Sequence, residues 1–473
     1  MKTKFKNIAN EAPARVAVIG AAKSGAAAAA YFCSRGSDVF ISDVCSRERL
    51  DEILRENGLT GKMVESEAGG HSDKILECDL VVLSPGVRSD LDVLKKASAE
   101  NIPVWSEMEL GFRASKAPFV AVTGSSGKST TVSLLYSAMR SAGFDAALVG
   151  NIGTPVISVT PSLSSGSIVI AEVSSFQLET IDQFKPKVAA VINLMKNHLD
   201  RYADEDEYYN AKKRIAENLT PEDFLVLNID DARLLLWAKE FASKTRVVMF
   251  GLQRCEGGDC VYLNGNAIHY QFNGSSGVIL DDVTRMKING RHNHINACAA
   301  AAVALSAGAG PDLIGQGLCA FAGLRHRLEY VAEINGITFY NDSKSTTAES
   351  IECAVQAFDS NVHLIAGGRD KGCDFSAITG AVRKTVKTVT LIGEAAERMA
   401  GQWEGIVPIY KSVTLEDAVN TAFANAAAGE KIIFSPGCSS FDMFRNFEHR
   451  GDMFGEAVSG LAASREGGLA CQR

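Results

Sequence analysis

The stretch Phe119-Val-Ala-Val-Thr-Gly-Ser-Ser-Gly-Lys-Ser-Thr130 passes from an unbroken apolar run, through a turn of small residues, into a lysine and two hydroxyls. An apolar run closed by such a turn is the pattern of a buried strand feeding a helix. In that order the turn is a phosphate cradle. Consecutive small residues let backbone N–H groups point inward at a polyphosphate, Lys128 reaches the β- and γ-phosphates, and the Ser129 hydroxyl can hold Mg²⁺. Gly124, Ser125, Ser126, Gly127, Lys128, Ser129 and Thr130 are therefore the expected ATP-binding residues. The spacing departs from the common G-x-x-x-x-G-K-[ST], because Val122 stands where the distal glycine would be. The loop is a compact variant.

On either side of this loop the chain alternates strand-like and helix-like runs. Ile168–Glu172, Val188–Asn193 and Phe224–Asn228 read as further buried strands, which predicts a parallel sheet with right-handed crossovers. Magnesium takes hard oxygen ligands, and Glu172 closes a strand beside the loop, where either a metal-binding acid or a helix cap would stand. Asn193 ends another strand and His198-Leu-Asp200 follows it. The histidine reads equally as a ligand and as an ordinary hydrogen-bonding residue. Lys212 falls on a helix predicted over Asp206–Asn218, and periodicity alone makes it one of several solvated lysines. The Gly- and Asn-rich region Arg246–Leu280 reads as a small β excursion, and the Ala-rich run Asn296–Ser306 as a buried helix.

A first α/β segment precedes this one. Its strand Arg15–Ile19 turns at Gly20-Ala-Ala-Lys-Ser-Gly25, and Asp43 closes the next strand. Against G-x-G-x-x-G the middle glycine is Ala22, which argues against a nicotinamide dinucleotide. The helix start with Ser24 can hold another diphosphate, or the turn is simply a tight βα connection. Ser84-Pro-Gly86, at the end of a further strand, points to the same crevice. A third segment opens near Leu324, with strands at Ile337–Asn341, His363–Ala366, Thr388–Ile392 and Lys431–Ser435. The boundaries predicted from these shifts are 1–115, 116–323 and 324–473.

Composition agrees with several soluble domains. The 473 residues are 46% hydrophobic and 22% charged, and the net charge of −8 argues against a general nucleic-acid binder. No apolar segment follows the basic start Met1–Lys6 and no 18 apolar residues run together, so no secretory signal or membrane span is expected and the chain is placed in the cytoplasm. Eleven cysteines are scattered without a CxxC, and Cys255 with Cys260 lacks a second ligand pair. Reduced core thiols are expected, rather than disulfides or zinc.

Taken together, Thr123–Thr130, Glu172-Val-Ser-Ser-Phe-Gln-Leu-Glu179, His198-Leu-Asp-Arg-Tyr202, Gly290-Arg-His-Asn293, His326-Arg327, Asn341-Asp-Ser-Lys344 and Ser435-Pro-Gly-Cys-Ser-Ser-Phe-Asp442 resemble the Mur ligases. The Ser-Ser-Phe-Gln-Leu and Asp-Ser-Lys segments are most similar to the D-glutamate-adding branch, and the arrangement is also similar to folylpolyglutamate synthases. The resemblance implies an α/β chain of three domains: a Rossmann-like N-terminal one for a UDP substrate, a central P-loop ATPase-like parallel sheet for ATP, and a Rossmann-like C-terminal one for the amino acid. It implies a monomeric ligase that joins D-glutamate to UDP-N-acetylmuramoyl-L-alanine through an acyl phosphate, in peptidoglycan precursor synthesis. The alternative is a related amide ligase with another acceptor. Carried over, Lys128, His198 and Lys212 are catalytic. Ser129, Glu172, His198 and Lys212 hold Mg²⁺, the lysine as a CO₂-derived carbamate. Asn293, Asn296, Arg327 and Asp342 join the ATP site. Lys23, Ser24, Asp43, Ser84, Gly86 and Asn151 contact the UDP substrate, and Thr346, Lys371, Ser440 and Phe447 hold D-glutamate. Two departures stand out: Ser125-Ser126 replaces the family's usual Thr-Asn, and Asn197 precedes His198 where an acid is common.

Overall fold

A computed structural model describes residues 12–470 apart from Lys62, Met63, Asp200, Asn289 and Lys371. The first sheet is wholly parallel, in the spatial order Val64–Ala68, Asp38–Asp43, Arg15–Ile19, Leu80–Leu83, Val104–Ser106. Val16 to Ile19 have no exposed surface, because helices cover both faces of such a sheet and its strands must be apolar on both sides. Strand order reverses between Arg15–Ile19 and Leu80–Leu83, so a crevice opens beyond their C-terminal ends. Gly20 and Ser84 stand there, with the Ser84 hydroxyl donating to the Gly20 carbonyl at 2.7 Å. Gly25 is obligatory, since a Cβ there would collide with that carbonyl. Ala22 caps the helix Lys23–Ser34 with ordinary extended dihedrals (φ −61°, ψ −178°), so the backbone asks for no glycine at the one position where the dinucleotide pattern fails.

The second sheet has nine strands. Phe119–Thr123 lies between Ser167–Glu172 and Val188–Val191, all parallel, with Asp145–Gly150 at one edge. On the other side Phe224–Asn228, Arg246–Gly251 and Asp259–Asn264 continue in parallel, and the antiparallel strands Ala267–Phe272 and Ser275–Leu280 complete the predicted excursion. Helix Lys128–Ser141 leaves the phosphate loop and packs beside Arg291–Ser306, which is buried from Asn296 onward. The described cysteines are all free, and Cys255 and Cys260 are buried.

These two sheets form one compact unit, joined through helix Glu107–Ala114. Glu109 is fully buried and accepts the amides of Asp182, Gln183 and Phe184 at 2.8–3.0 Å. It also takes the Arg113 guanidinium at 2.6 Å, and that guanidinium lies 4.1 Å from the centre of the Trp105 ring. Removing the Glu109 carboxylate takes the acceptor from three amides and one of two carboxylates from the buried Arg113 guanidinium, which keeps Asp182. Glu109→Ala is therefore expected to lose about 3–5 kcal/mol of stability, read as a lower denaturant midpoint at unchanged slope.

The third sheet belongs to a second compact unit, from Ala322 onward. Its order is Glu329–Ile334, Ile337–Asn341, Lys431–Phe434, Val362–Gly367, Val386–Ile392, Ile409–Lys411, and only the first pair is antiparallel. None of the described helices is long and apolar enough to cross a membrane.

Candidate active site

The phosphate loop sits where the sequence places it, between strand Phe119–Thr123 and helix Lys128–Ser141. Gly127 caps that helix in the left-handed region (φ +78°), and its missing side chain makes room for Asn296, whose Oδ1 would stand 2.6 Å from a Cβ there. Asn296 thus supports the loop from below, with Asn293 one turn away at 3.5 Å. From the neighbouring strand end, the Asn193 side-chain oxygen accepts the amides of Ser125 and Ser126, each at 2.9 Å. The Ser125 hydroxyl donates to the Met195 carbonyl and receives the Tyr208 hydroxyl. Lys128 folds over its own loop, with Nζ donating to the Gly124 carbonyl at 2.8 Å.

Lys212 overturns the reading from periodicity. It is 1% exposed, and its Nζ donates to the same Gly124 carbonyl at 2.9 Å and lies 4.6 Å from the centre of the Tyr208 ring. Its helix runs Glu205–Lys213 before tightening into a 3₁₀ turn, and the face carrying Tyr208 and Lys212 turns inward. Burial pushes the amine down to about 6, the Lys128 charge pushes the same way, and Glu172 opposes both.

Glu172, also 1% exposed, accepts the Asn151 side chain on Oε1 at 2.7 Å, while its Oε2 accepts no hydrogen bond from a described residue. A buried carboxylate oxygen left open beside a phosphate loop and the buried Ser129 hydroxyl fits a divalent cation. Among the described residues no three His, Cys, Asp or Glu converge into a metal cage. Magnesium asks for none, since it takes one or two carboxylates and fills its shell with phosphate and water. His198 lies between the rings of Phe176 (4.9 Å) and Tyr208 (5.7 Å) and holds φ at +56°, a conformation that costs a non-glycine residue roughly 1–2 kcal/mol. Asn197, in the place of the usual acid, turns its side chain back to accept the His198 amide at 2.9 Å.

In the first-sheet crevice Asp43 braces the Gly20–Gly25 turn. Burial raises its carboxyl, but the amides of Ala21 (2.6 Å) and Cys45 (2.8 Å) outweigh that and hold it below its ordinary value. Ser24 stands in the first turn of the helix, and Gly86 lies in the turn that begins at Ser84. Lys23 Nζ donates to the Gly153 carbonyl at 2.7 Å, so the crevice meets the loop that carries Asn151 and, through it, Glu172.

Three domain families match the chain in order: the MurD-like N-terminal domain over residues 14–106, the Mur ligase middle domain over 122–304, and the glutamate ligase domain of Mur ligases over 326–438. The UDP-N-acetylmuramoylalanine--D-glutamate ligase of Geotalea daltonii is 40% identical over 449 residues, which cover 95% of this chain and 98% of the relative. The chain belongs to the Mur ligase family. The ligase of the same name from Thermoanaerobacter pseudethanolicus is 39% identical over 453 residues, 94% of this chain and 98% of that one. Among solved structures, MurC from Thermotoga maritima, a UDP-N-acetylmuramate-alanine ligase, shares the fold at a TM-score of 0.58 and 17% identity, covering 94% of this chain and 99% of its own.

The third domain of this Mur ligase gathers its motifs around a residue the sequence did not single out. Arg450 is fully buried, and donates to the Ser343 hydroxyl (3.0 Å), the Ser343 carbonyl (2.7 Å) and the Cys438 carbonyl (2.9 Å). It thereby ties the Asp342-Ser-Lys344 turn to the Ser435–Asp442 loop. Burial lowers the guanidinium to about 10. Asp342 is buried too, which raises it to about 7 against hydrogen bonds from the Ser435 hydroxyl (2.8 Å) and the Leu328 amide (3.2 Å). It fixes the segment that carries Arg327. Ser440 is buried in the loop, Thr346 and Phe447 are half-buried, and the Lys344 Nζ lies 5.5 Å from the centre of the Phe447 ring. Lys371 lies outside the described residues.

Proposed function

We propose that this Mur ligase adds D-glutamate to UDP-N-acetylmuramoyl-L-alanine, with ATP cleaved to ADP and phosphate, in peptidoglycan precursor synthesis. The observation that carries the reading is the match of all three domains, along nearly the whole chain, to relatives named for that reaction. The site supplies the chemistry. An oxygen of the L-alanyl carboxylate attacks the γ-phosphorus, the bond to ADP breaks, and an acyl phosphate forms. The neutral amine of D-glutamate then attacks the acyl carbon and phosphate departs, the amine losing a proton as the amide forms. Both reactants of the first step are anions. The loop amides, the Lys128 ammonium and the N-terminal end of helix Lys128–Ser141 offset that repulsion and hold the γ-phosphate in line.

Ser129, Glu172 and His198 would hold Mg²⁺, which when bound neutralises phosphate charge. We assign Lys212 a carbamate formed from CO₂. Its amine is largely uncharged at neutral pH, as attack on CO₂ requires, and the product would place an anion beside Lys128, facing the metal. Asn293, Asn296 and Arg327 would contact the nucleotide, with Asp342 acting through the Arg327–Leu328 segment. Lys23, Ser24, Asp43, Ser84, Gly86 and Asn151 would line the UDP-substrate side. Thr346, Lys371, Ser440 and Phe447 would take D-glutamate, where a lysine suits a dicarboxylate.

Phosphate release from ATP tests the reading. It is expected only when UDP-N-acetylmuramoyl-L-alanine and D-glutamate are both present, and not when L-lysine or diaminopimelate replaces D-glutamate or a folate replaces the UDP substrate. ATP hydrolysis indifferent to both substrates would overturn it.

A further inference from the structure

Arg201 joins the first-sheet crevice to the catalytic side of the second sheet. Its Nη2 donates to the Val87 carbonyl at 3.0 Å and its Nη1 to the Pro85 carbonyl at 3.4 Å, both within the turn that begins at Ser84. That turn in turn holds the Gly20 carbonyl through Ser84. On its other edge the guanidinium meets the Glu179 carboxylate twice, at 2.6 and 3.1 Å. Its plane lies 4.1 Å from the centre of the Phe176 ring, which packs edge-on against His198. Glu179 also receives the Tyr202 hydroxyl at 2.6 Å and, from beyond the same turn, the Ser89 hydroxyl at 2.7 Å. One guanidinium therefore fixes, through bonds at both edges and its face, the turn that closes the nucleotide-sugar crevice and the ring that seats His198. Arginine suits the place because its planar fork serves two carbonyls and a carboxylate at once, which a lysine ammonium does not.

We infer that Arg201, held by Glu179, is a positioning residue that sets the register of the UDP substrate against the phosphate loop. The inference rests on the proposed substrate and deepens it. The Arg201 guanidinium acts through the Ser84–Val87 turn and the Phe176 ring, and its backbone amide donates to the His198 carbonyl at 3.0 Å. Losing the guanidinium should loosen the UDP substrate through the turn and lower kcat through the ring that seats His198, while KM for ATP and D-glutamate changes little.

The test is the binding of UDP-N-acetylmuramoyl-L-alanine without ATP, by calorimetry, together with steady-state KM values for all three substrates, in the wild type, Arg201→Lys and Glu179→Gln. We expect both variants to raise Kd and KM for the UDP substrate by about tenfold or more, with KM for ATP and D-glutamate within about twofold of wild type. Glu179→Gln keeps the shape of the junction, so it serves if Arg201→Lys folds poorly. An unchanged Kd for the UDP substrate, or KM values that rise alike for all three, would sink the positioning role even where the melting temperature drops. Wild-type protein that binds no UDP substrate at all would instead count against the proposed function.

Discussion

Lys212→Ala is expected to lower turnover by on the order of 10²–10³-fold, and formate or acetate to restore part of that loss while leaving the wild type unaffected. The size follows from where the residue stands. Nζ lies on the Gly124 carbonyl, inside the phosphate loop's own hydrogen-bond frame, and shares the pocket with Lys128 and Glu172. With Lys128 cationic and the Lys212 amine neutral, the pocket would suit phosphate but offer a divalent metal little beyond the Glu172 carboxylate. A carbamate puts a negative charge at the Lys212 position and adds oxygen ligands of the kind magnesium prefers. Alanine removes the carrier and vacates the space between the Tyr208 ring and the Gly124 carbonyl, where a small carboxylate is expected to stand in for the lost group. The pH dependence has a definite direction. The amine, lowered to about 6, is protonated below that value and neutral above it, so a ¹³C-bicarbonate-derived carbamate signal should appear as pH rises through about 6 and fade below. Wild-type turnover in Lys212→Ala would return the residue to a packing role.

Lys212 also marks the limit of what the sequence could carry by itself. The parallel strands were legible because a sheet covered on both faces needs uninterrupted apolar runs, and Val16–Ile19 and Phe119–Thr123 are such runs. The phosphate loop was legible because its backbone geometry demands glycine at fixed places. A lysine in the run Lys212-Lys213-Arg214 carries no local mark of burial. What buries it is the other side of the pocket, the loop eighty-eight positions earlier, and only the family resemblance pointed there. Asn193 could be seen at a strand end, but not that it clamps two amides sixty-seven and sixty-eight positions away. Glu109 and Arg450 went unremarked, and Arg201 was quoted within a motif without a role, for the same reason. Each is a charged residue whose partners are distant in sequence, and a charge in a sequence is first read as a solvated one. The helix predicted over Asp206–Asn218 ends at Lys213 because a 3₁₀ turn follows, with the Arg214 guanidinium donating to the Ile181 carbonyl at 2.9 Å.

Glu172→Gln should separate stability from activity, and it is the sharpest test of the metal assignment. In the folded chain the carboxylate is buried at the end of strand Ser167–Glu172, with one oxygen on Asn151 and the other accepting nothing from the described residues. Burying a charge with an open oxygen is costly for folding, on the order of 1–3 kcal/mol for the missing partner alone. Glutamine keeps the Asn151 bond and removes the charge. The denaturant midpoint of Glu172→Gln is therefore expected to equal or exceed that of the wild type. Phosphate release should meanwhile fall by on the order of 10²–10³-fold, with the magnesium concentration needed for half-maximal rate shifted upward. A purely structural Glu172, placed to orient Asn151 or cap the following segment, predicts the reverse. The midpoint would then fall, and the surviving rate would keep the wild-type magnesium dependence. The two outcomes cannot both hold, because a residue retained for folding should not leave its buried oxygen unsatisfied, whereas one retained for a cation must.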